Sequence, residues 1–174
     1  MKYNKLLFLI LALSILISGT SMAQSDPVGA IDTLTLVVNK IEDGKWMISV
    51  QLWNDEELAA LDIPLGYTAG IAKLVVDSVS YAGTRIDYFA QKYMQADSIG
   101  QVMHFGGIAY MGPDKPPLEP GQGEIGKVYI SVIGSKKPGP FAVDTAFYAP
   151  NNHLMLVDTE AKTIIPALKI ETKK

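Results

Sequence analysis

The feature that most constrains the fold is a series of short segments in which apolar and polar side chains alternate, separated by turn residues. The clearest segment is Lys45–Asn54, where every second residue from Trp46 to Leu52 is apolar. A repeat of two residues places these side chains on one face of a β-strand. Segments 34–38 and 128–132 show the same alternation. These three segments predict an all-β protein whose strands each bury one face.

Further strands are predicted along the rest of the chain, over residues 60–66, 72–81, 84–94, 101–111, 141–148, 154–158 and 163–170. This many short strands in one chain indicate two packed sheets, that is, a two-sheet antiparallel β-sandwich. Two segments are open to another interpretation. The residues Ile86, Phe89 and Tyr93 would also line one face of a helix, and residues 55–60 can form one helical turn capped by Asp55.

Glycine and proline residues refine this prediction. Gly44 follows an aspartate and predicts a tight reversal between the first two strands, because glycine readily adopts a positive φ. The pair Gly106-Gly107 indicates a bulge or a bend, with close approach of a ligand as the rarer alternative. Pro166 removes a hydrogen-bond donor from the last segment, which favours an edge strand. Residues 112–123 are rich in proline and indicate a long surface loop.

The N-terminal residues 1–23 predict a secretory signal peptide. Lys2 and Lys5 precede a largely apolar run over residues 6–17, and small residues up to Ala23 provide a cleavage site. The run has 12 residues, whereas a membrane span requires about 20. We therefore expect a mature chain of one domain, residues 24–174, without a membrane span, that is secreted or periplasmic.

Composition argues against several classes of protein. Loss of the two lysines of the signal peptide from the 15 basic residues leaves 13 against 18 acidic residues, so the mature net charge is −5. This charge disfavours nucleic acid as a partner. The chain contains no cysteine, so neither a lipoprotein anchor nor a disulfide is expected. The apolar core and the hydrogen bonds between strands must therefore provide the stability.

Residues that carry catalysis or bind metals form no recognisable motif. His104 and His153 belong to no paired metal-binding motif, and we expect both to be ordinary surface or strand-end residues. No Gly-x-Ser-x-Gly turn is present, which argues against a serine hydrolase. The acidic residues Asp55, Glu56 and Glu57 cluster at a corner, where solvation or helix capping accounts for them. No Asp-x-Asp-x-Asp loop is present, so calcium would need a site assembled by the fold. We predict a protein that is not an enzyme, and we assign no cofactor and no metal ligands.

Aromatic side chains are the better candidates for ligand binding, because their flat apolar rings stack on sugars. Trp53 lies on the more polar side of its predicted strand, beside an Asn-Asp corner, whereas Trp46 lies on the core side. Trp53 can therefore form a ligand platform, or it can pack beneath the neighbouring loop. Tyr88, Tyr93 and Tyr110 could form a similar strip, or they could pack in the core or against a sheet edge.

Four segments of the sequence resemble cohesin domains: 48–54, 57–67, 76–83 and 123–132. In cohesins a strand ends at an asparagine-rich corner, an acidic-Leu-Ala bend follows, and the next strand runs to a tyrosine, here Tyr67. Cohesins are secreted sandwiches of a broader carbohydrate-binding superfamily. The resemblance implies a jelly-roll sandwich that binds without catalysing, and in true cohesins one sheet face docks a calcium-loaded dockerin module of another protein.

The residues and the resemblance together predict a non-catalytic binding or adhesion module, outside the cell or at its surface. Its partner would be a polysaccharide or a secreted or cell-surface protein. The alternative is a structural subunit of an extracellular or cell-surface assembly, joined by pairing of edge strands such as the last one.

Overall fold

The computed structural model describes residues 26–27, 29–109, 116–134 and 136–173. These residues form eleven strands, namely β1 (Thr33–Glu42), β2 (Lys45–Asn54), β3 (Leu58–Ala69), β4 (Lys73–Ser80), β5 (Gln91–Asp97), β6 (Val102–Ile108), β7 (Gly121–Ile133), β8 (Phe141–Thr145), β9 (Met155–Asp158), β10 (Thr163–Ile164) and β11 (Ala167–Lys173). Within the described ranges no helix has the length and apolar character needed to cross a bilayer. The expected signal peptide and Tyr110 lie outside these ranges.

The strands form two sheets that pack face to face. One sheet has five strands in the order β11-β1-β2-β7-β4. The other has six, in the order β10-β9-β3-β6-β5 with β8 also paired to β3. Neighbouring strands are antiparallel, except that β11 is parallel to β1. The long strand β3 pairs with β9 along its first half and with β8 along its second half. The predicted two-sheet β-sandwich is confirmed.

The core lies between the two sheets and is built by the alternation that the sequence shows. In β2 the side chains of Ile48, Val50 and Leu52 have no exposed surface, and in β3 the same holds for Ile63 and Leu65. Successive residues of a strand point to opposite faces, so one strand contributes every second side chain to the core. Burial of one such aliphatic side chain contributes about 1.5–3 kcal/mol. In a chain without cysteine, this core is the main source of stability.

The strand predicted over residues 84–94 is wrong in its first half. The chain makes tight turns there, in which Asp87 N donates to Thr84 O (3.1 Å) and Phe89 N donates to Ile86 O (3.0 Å). Ile86 and Phe89 are nonetheless fully buried in the core. Their apolar spacing therefore reflects a loop that covers the core, and neither the predicted strand nor the alternative helix forms before β5 begins at Gln91.

The bulge or bend predicted at Gly106-Gly107 is also wrong. β6 runs through both glycines without a shift in register against β3 or β5. A methyl group at Gly106 would overlap the carbonyl oxygen of Leu61, and one at Gly107 would lie 2.9 Å from the carbonyl oxygen of Gln91. The glycines are needed because both neighbouring strands approach β6 too closely for a side chain.

Pro166 lies between β10 and β11, where the chain crosses from the six-stranded to the five-stranded sheet. The single strand predicted over residues 163–170 is therefore two strands in different sheets, since proline has no N–H to continue a ladder. Ala167 N then donates to Asp32 O (2.7 Å) where β11 joins β1. β11 is an edge strand, as predicted.

The remaining turn predictions have mixed outcomes. Gly44 has a φ of 76° between β1 and β2, which confirms the predicted reversal. The proline-rich loop ends earlier than predicted, because β7 begins at Gly121. In its described part, Leu118 and Leu58 exchange two backbone hydrogen bonds of 2.8 and 3.0 Å. The helical turn considered for residues 55–60 does not form, since β3 begins at Leu58.

Candidate functional site

The outer face of the six-stranded sheet carries a cluster of polar and aromatic side chains around His104. His104 lies on this outer face because its neighbour Phe105 points into the core. β3 contributes Asp62 from one side of β6, and β5 contributes Tyr93 and Gln95 from the other side. The antiparallel register thus brings together residues that are 9 to 42 positions apart.

Hydrogen bonds fix both ring nitrogens of His104. Its Nδ1 lies 3.1 Å from Asp62 Oδ1, and because a carboxylate only accepts, Nδ1 carries the hydrogen. Its Nε2 lies 3.2 Å from Gln95 Oε1. The Tyr93 hydroxyl lies 3.1 Å from Leu61 O and 3.2 Å from Asp62 Oδ1, so that it donates into the same network. Burial, with the nearby charge of Asp62, raises the pKa of Tyr93 and keeps this donor protonated.

Two aromatic rings pack against the imidazole. The ring of Tyr148 stacks on His104 with centroids 4.3 Å apart and planes 21° apart, and Tyr93 approaches with a centroid distance of 5.3 Å. Tyr148 belongs to the β8–β9 connection, whose backbone closes through paired hydrogen bonds between Tyr148 and Asn152 (2.9 and 3.0 Å). This connection folds over the sheet, so His104 is only 7% exposed although it lies on an outer face.

This arrangement holds the β8–β9 connection against the sheet and does not resemble a catalytic site. Both nitrogens of His104 are engaged, and among the described residues its hydrogen bonds go to Asp62 and Gln95, not to a serine or threonine hydroxyl. The expectation that His104 is a surface or strand-end residue is wrong, because the Tyr148 ring covers a position in the middle of β6. His153 is exposed and packs against Phe147 with ring centroids 4.9 Å apart.

Exposed apolar side chains accompany the cluster. Ile108 follows His104 by four residues on β6, on the same outer face, and is 47% exposed. Phe147 precedes Tyr148 in the connection over the sheet and is 51% exposed. Ile99, at the turn between β5 and β6, is almost fully exposed. We name this surface the apolar face. It consists of Ile108, Phe147 and the His104 cluster, which comprises Asp62, Tyr93, Gln95, His104 and Tyr148.

A shallow recess lies in the same six-stranded sheet. It has a volume of about 370 Å³ and lies between β3, β8 and the β5–β6 turn, with Gly66, Thr68, Gly100, Val102 and Asp144 among its lining residues. It is open to solvent and lacks enclosing walls. The recess is therefore not shaped like an enzyme pocket.

The outer face of the five-stranded sheet is different in character. Ser49 donates to the Glu124 carboxylate, and Lys127 forms an ion pair of 2.8 Å with the same residue. Ser131 donates to Asp77 Oδ1 at 2.8 Å. These polar groups satisfy one another along the sheet, so this face is suited to contact with water.

The structure places three of the four predicted aromatic site residues. Trp53 is half-buried on the outer face of the five-stranded sheet, paired with Thr33 and Gln122. Tyr93 lies on the opposite side of the sandwich, in the His104 cluster. Tyr88 lies in the turns before β5, where its hydroxyl donates to Pro117 O (2.7 Å) and its ring meets Phe89 edge-on at 5.4 Å. Tyr110 is outside the described residues.

The sequence reasoning missed Asp62, His104 and Tyr148 as a group. One signal was available, because Asp62 interrupts the apolar run of β3, and a carboxylate in such a strand requires a partner. The partner could not be identified from the sequence, since its position depends on which strands are neighbours.

Comparison with solved structures relates the architecture to known proteins. A chain of the Coh-OlpA–Doc918 complex, a type I cohesin–dockerin complex from Clostridium thermocellum, matches with a TM-score of 0.61 over 83% of this chain and 100% of that chain, at 12% identity. The fold is that of a cohesin domain.

Two further cohesins extend the comparison. CaCohA2 from Clostridium acetobutylicum matches with a TM-score of 0.59, over 82% of this chain and 91% of that chain. The non-cellulosomal cohesin from Archaeoglobus fulgidus matches with a TM-score of 0.50, over 83% and 93%. Both are 12% identical to this chain. The sequence matches no protein-family model and no curated protein. At this identity the cohesin likeness establishes the fold, and function must be argued from the surface.

Proposed function

We propose that the protein is a non-catalytic module that docks a partner protein on the apolar face of its six-stranded sheet. The observation that carries this proposal is the contrast between the two outer faces. Exposed Ile108 and Phe147 accompany a fixed aromatic cluster on one face, whereas ion pairs and hydroxyl groups lie along the other.

Such a face has the composition of a protein-binding surface. The centre of an interface is enriched in aromatic residues and depleted of charge, and its rim is polar. Apolar side chains that remain exposed contribute binding energy when a partner removes them from water. The stacking of Tyr148 on His104 holds the β8–β9 connection in place, so little conformational freedom is lost when a partner binds.

A dockerin-like module is the class of partner that we propose first. Several solved structures with this fold are complexes of cohesins with dockerins. The match covers 99 to 100% of those three chains. We further propose that the protein acts outside the cytoplasm, on the basis of the signal peptide expected over residues 1–23.

A polysaccharide partner is the second candidate, supported by one observation. Trp53 is partly exposed beside the Asn54-Asp55 corner, on the five-stranded sheet, where a flat ring could stack on a sugar. The two candidates therefore use opposite faces of the sandwich and can be separated by mutation.

The experiment that separates the partner classes is a parallel screen of the exported protein against immobilised dockerin modules and a glycan array. Wild type is compared with Phe147→Ser and Trp53→Ala. Binding to a dockerin that is lost in Phe147→Ser and kept in Trp53→Ala supports the proposal. Binding to a glycan alone, lost in Trp53→Ala and kept in Phe147→Ser, would instead establish the polysaccharide alternative.

A further inference from the structure

Four carboxylates meet at one end of the sandwich, away from the apolar face. Asp26 and Asp32 belong to the segment that leads into β1, and Asp55 and Glu56 belong to the connection from β2 to β3. One carboxylate oxygen from each residue lies within 4.8 Å of the other three. The fold thus assembles a concentration of negative charge from two distant parts of the sequence.

Two of these carboxylates are buried without a hydrogen-bond donor. Asp32 has no exposed surface, and neither of its carboxylate oxygens has a hydrogen-bond partner among the described residues. Both oxygens of Glu56 are also buried and lack a donor in the described part of the chain. A buried carboxylate without a partner is strongly unfavourable. The arrangement therefore points to a positively charged ligand between these groups.

The protein itself supplies little positive charge to neutralise these carboxylates. No lysine or arginine in the described ranges forms an ion pair with Asp32, Asp55 or Glu56. Arg85 is directed elsewhere and donates to the carbonyl oxygens of Leu52, Glu119 and Gly121.

The backbone around the cluster is shaped to hold it. Gly29 has a φ of 71°, and a methyl group there would overlap the carboxylate of Asp55. That carboxylate accepts a hydrogen bond of 2.8 Å from Ala30 N, and the carboxylate of Asp26 accepts one of 3.1 Å from Asp32 N. Asn54 fixes the corner through its side-chain amide, which donates to Glu56 O at 2.7 Å. The two exposed or partly exposed carboxylates are thus oriented, while the two buried ones are left unpaired.

We propose that Asp26, Asp32, Asp55 and Glu56 bind one calcium ion. Oxygen ligands alone select a hard cation. Calcium bonds of about 2.3–2.6 Å place opposite ligand atoms about 5 Å apart, whereas magnesium bonds of about 2.0–2.1 Å require about 4 Å. The carboxylate oxygens all lie within 4.8 Å of one another, which is close enough for one calcium ion to contact all four. Asp55 is exposed, which gives the ion a path from solvent.

The bound ion would tie the N-terminal segment to the β2–β3 corner. Asp32 O also accepts the hydrogen bond from Ala167 N, where the last strand joins the first. A calcium ion at Asp32 therefore anchors the place where the first strand, β1, and the last strand, β11, enter the five-stranded sheet. This role is structural and is independent of the docking proposal.

The test is calcium titration of the exported protein after treatment with a chelator. Calorimetry should show one ion per chain with a dissociation constant of about 1 mM or tighter, the range of extracellular calcium modules. At about 10 mM calcium the Tm should rise by about 3 °C or more. A flat titration together with an unchanged Tm would overturn the proposal, and an equal response to magnesium would overturn the choice of calcium.

Variants locate the site. Glu56→Gln should abolish the calcium response while the protein remains folded in chelator. Asp43→Asn, at an exposed acid at the other end of β1, should keep the full response. If Glu56→Gln does not fold, Asp55→Asn at the exposed ligand gives the same test. An undiminished calcium response in the folded site variant would place the ion elsewhere and overturn the assignment.

Discussion

The imidazole ring of His104 stacks on the phenol ring of Tyr148, with centroids 4.3 Å apart and planes 21° apart. His104 is in β6, and Tyr148 is in the connection between β8 and β9. The contact therefore holds a long surface connection against the sheet. It also places Phe147, the preceding residue in the chain, on the same connection with half of its surface exposed.

Replacing Tyr148 with alanine should loosen this connection. We expect a loss of about 1–2 kcal/mol in the free energy of unfolding, since an aromatic pair contributes about 0.5–1.5 kcal/mol beyond its buried area. Hydrogen exchange should increase in residues 146–153 and remain slow in β2 and β3. Tyr148→Phe is the control and should behave like wild type, because it keeps the stacking ring. Uniform acceleration of exchange across the whole sandwich would contradict the local role given to Tyr148.

Asp62 is expected to stabilise the fold as a hydrogen-bond acceptor. In Asp62→Ala, His104 Nδ1 and the Tyr93 hydroxyl lose a buried acceptor at 3.1 and 3.2 Å. Each unsatisfied group costs about 1–3 kcal/mol, although Tyr93 still reaches Leu61 O. We expect urea unfolding to show a loss of about 2–4 kcal/mol. Asp62→Asn retains an acceptor oxygen and should lose less; equal losses in the two variants would show that the charge, not the acceptor, matters.

Gly106 should not tolerate a side chain. A methyl group there would overlap the backbone carbonyl of Leu61 in the neighbouring strand, and backbone cannot rotate away as a side chain can. Gly106→Ala should therefore cost about 3 kcal/mol or more, or prevent folding. Gly100→Ala is the matched control, because its closest neighbour is the flexible, exposed side chain of Asp97. A Tm for Gly106→Ala within about 1 °C of wild type would contradict the close approach of β3 and β6.

The period-two pattern of β2 was sufficient to predict its strand and its buried face, and the number of short strands along the chain predicted the sandwich class. The pattern failed at Ile86 and Phe89, because a loop that closes over a core needs apolar residues without needing strand geometry. The bulge or bend predicted from Gly106-Gly107 was also wrong, because glycine is required there by the close spacing between strands.

The functional residues were harder to predict for a related reason. His104 and Asp62 are 42 residues apart, and their contact depends on β3 and β6 being neighbours. The acids Asp55 and Glu56 were recognised at a corner, but only the fold brings Asp32 to them. Local patterns report which side of a strand is buried, whereas sites are made by the order of strands in a sheet.

The central claim is that the apolar face, and not the opposite face, docks a partner protein. Two isoleucines allow a matched comparison, since Ile108 is 47% exposed on the apolar face and Ile133 is 44% exposed at the end of β7 in the other sheet. The most direct measurement is surface plasmon resonance of wild type, Ile108→Ser and Ile133→Ser against a dockerin module that binds the wild type. We predict that Ile108→Ser weakens binding at least about tenfold, a loss of about 1.4 kcal/mol, while Ile133→Ser binds like wild type. Loss of binding in Ile133→Ser with full binding by Ile108→Ser would contradict the claim.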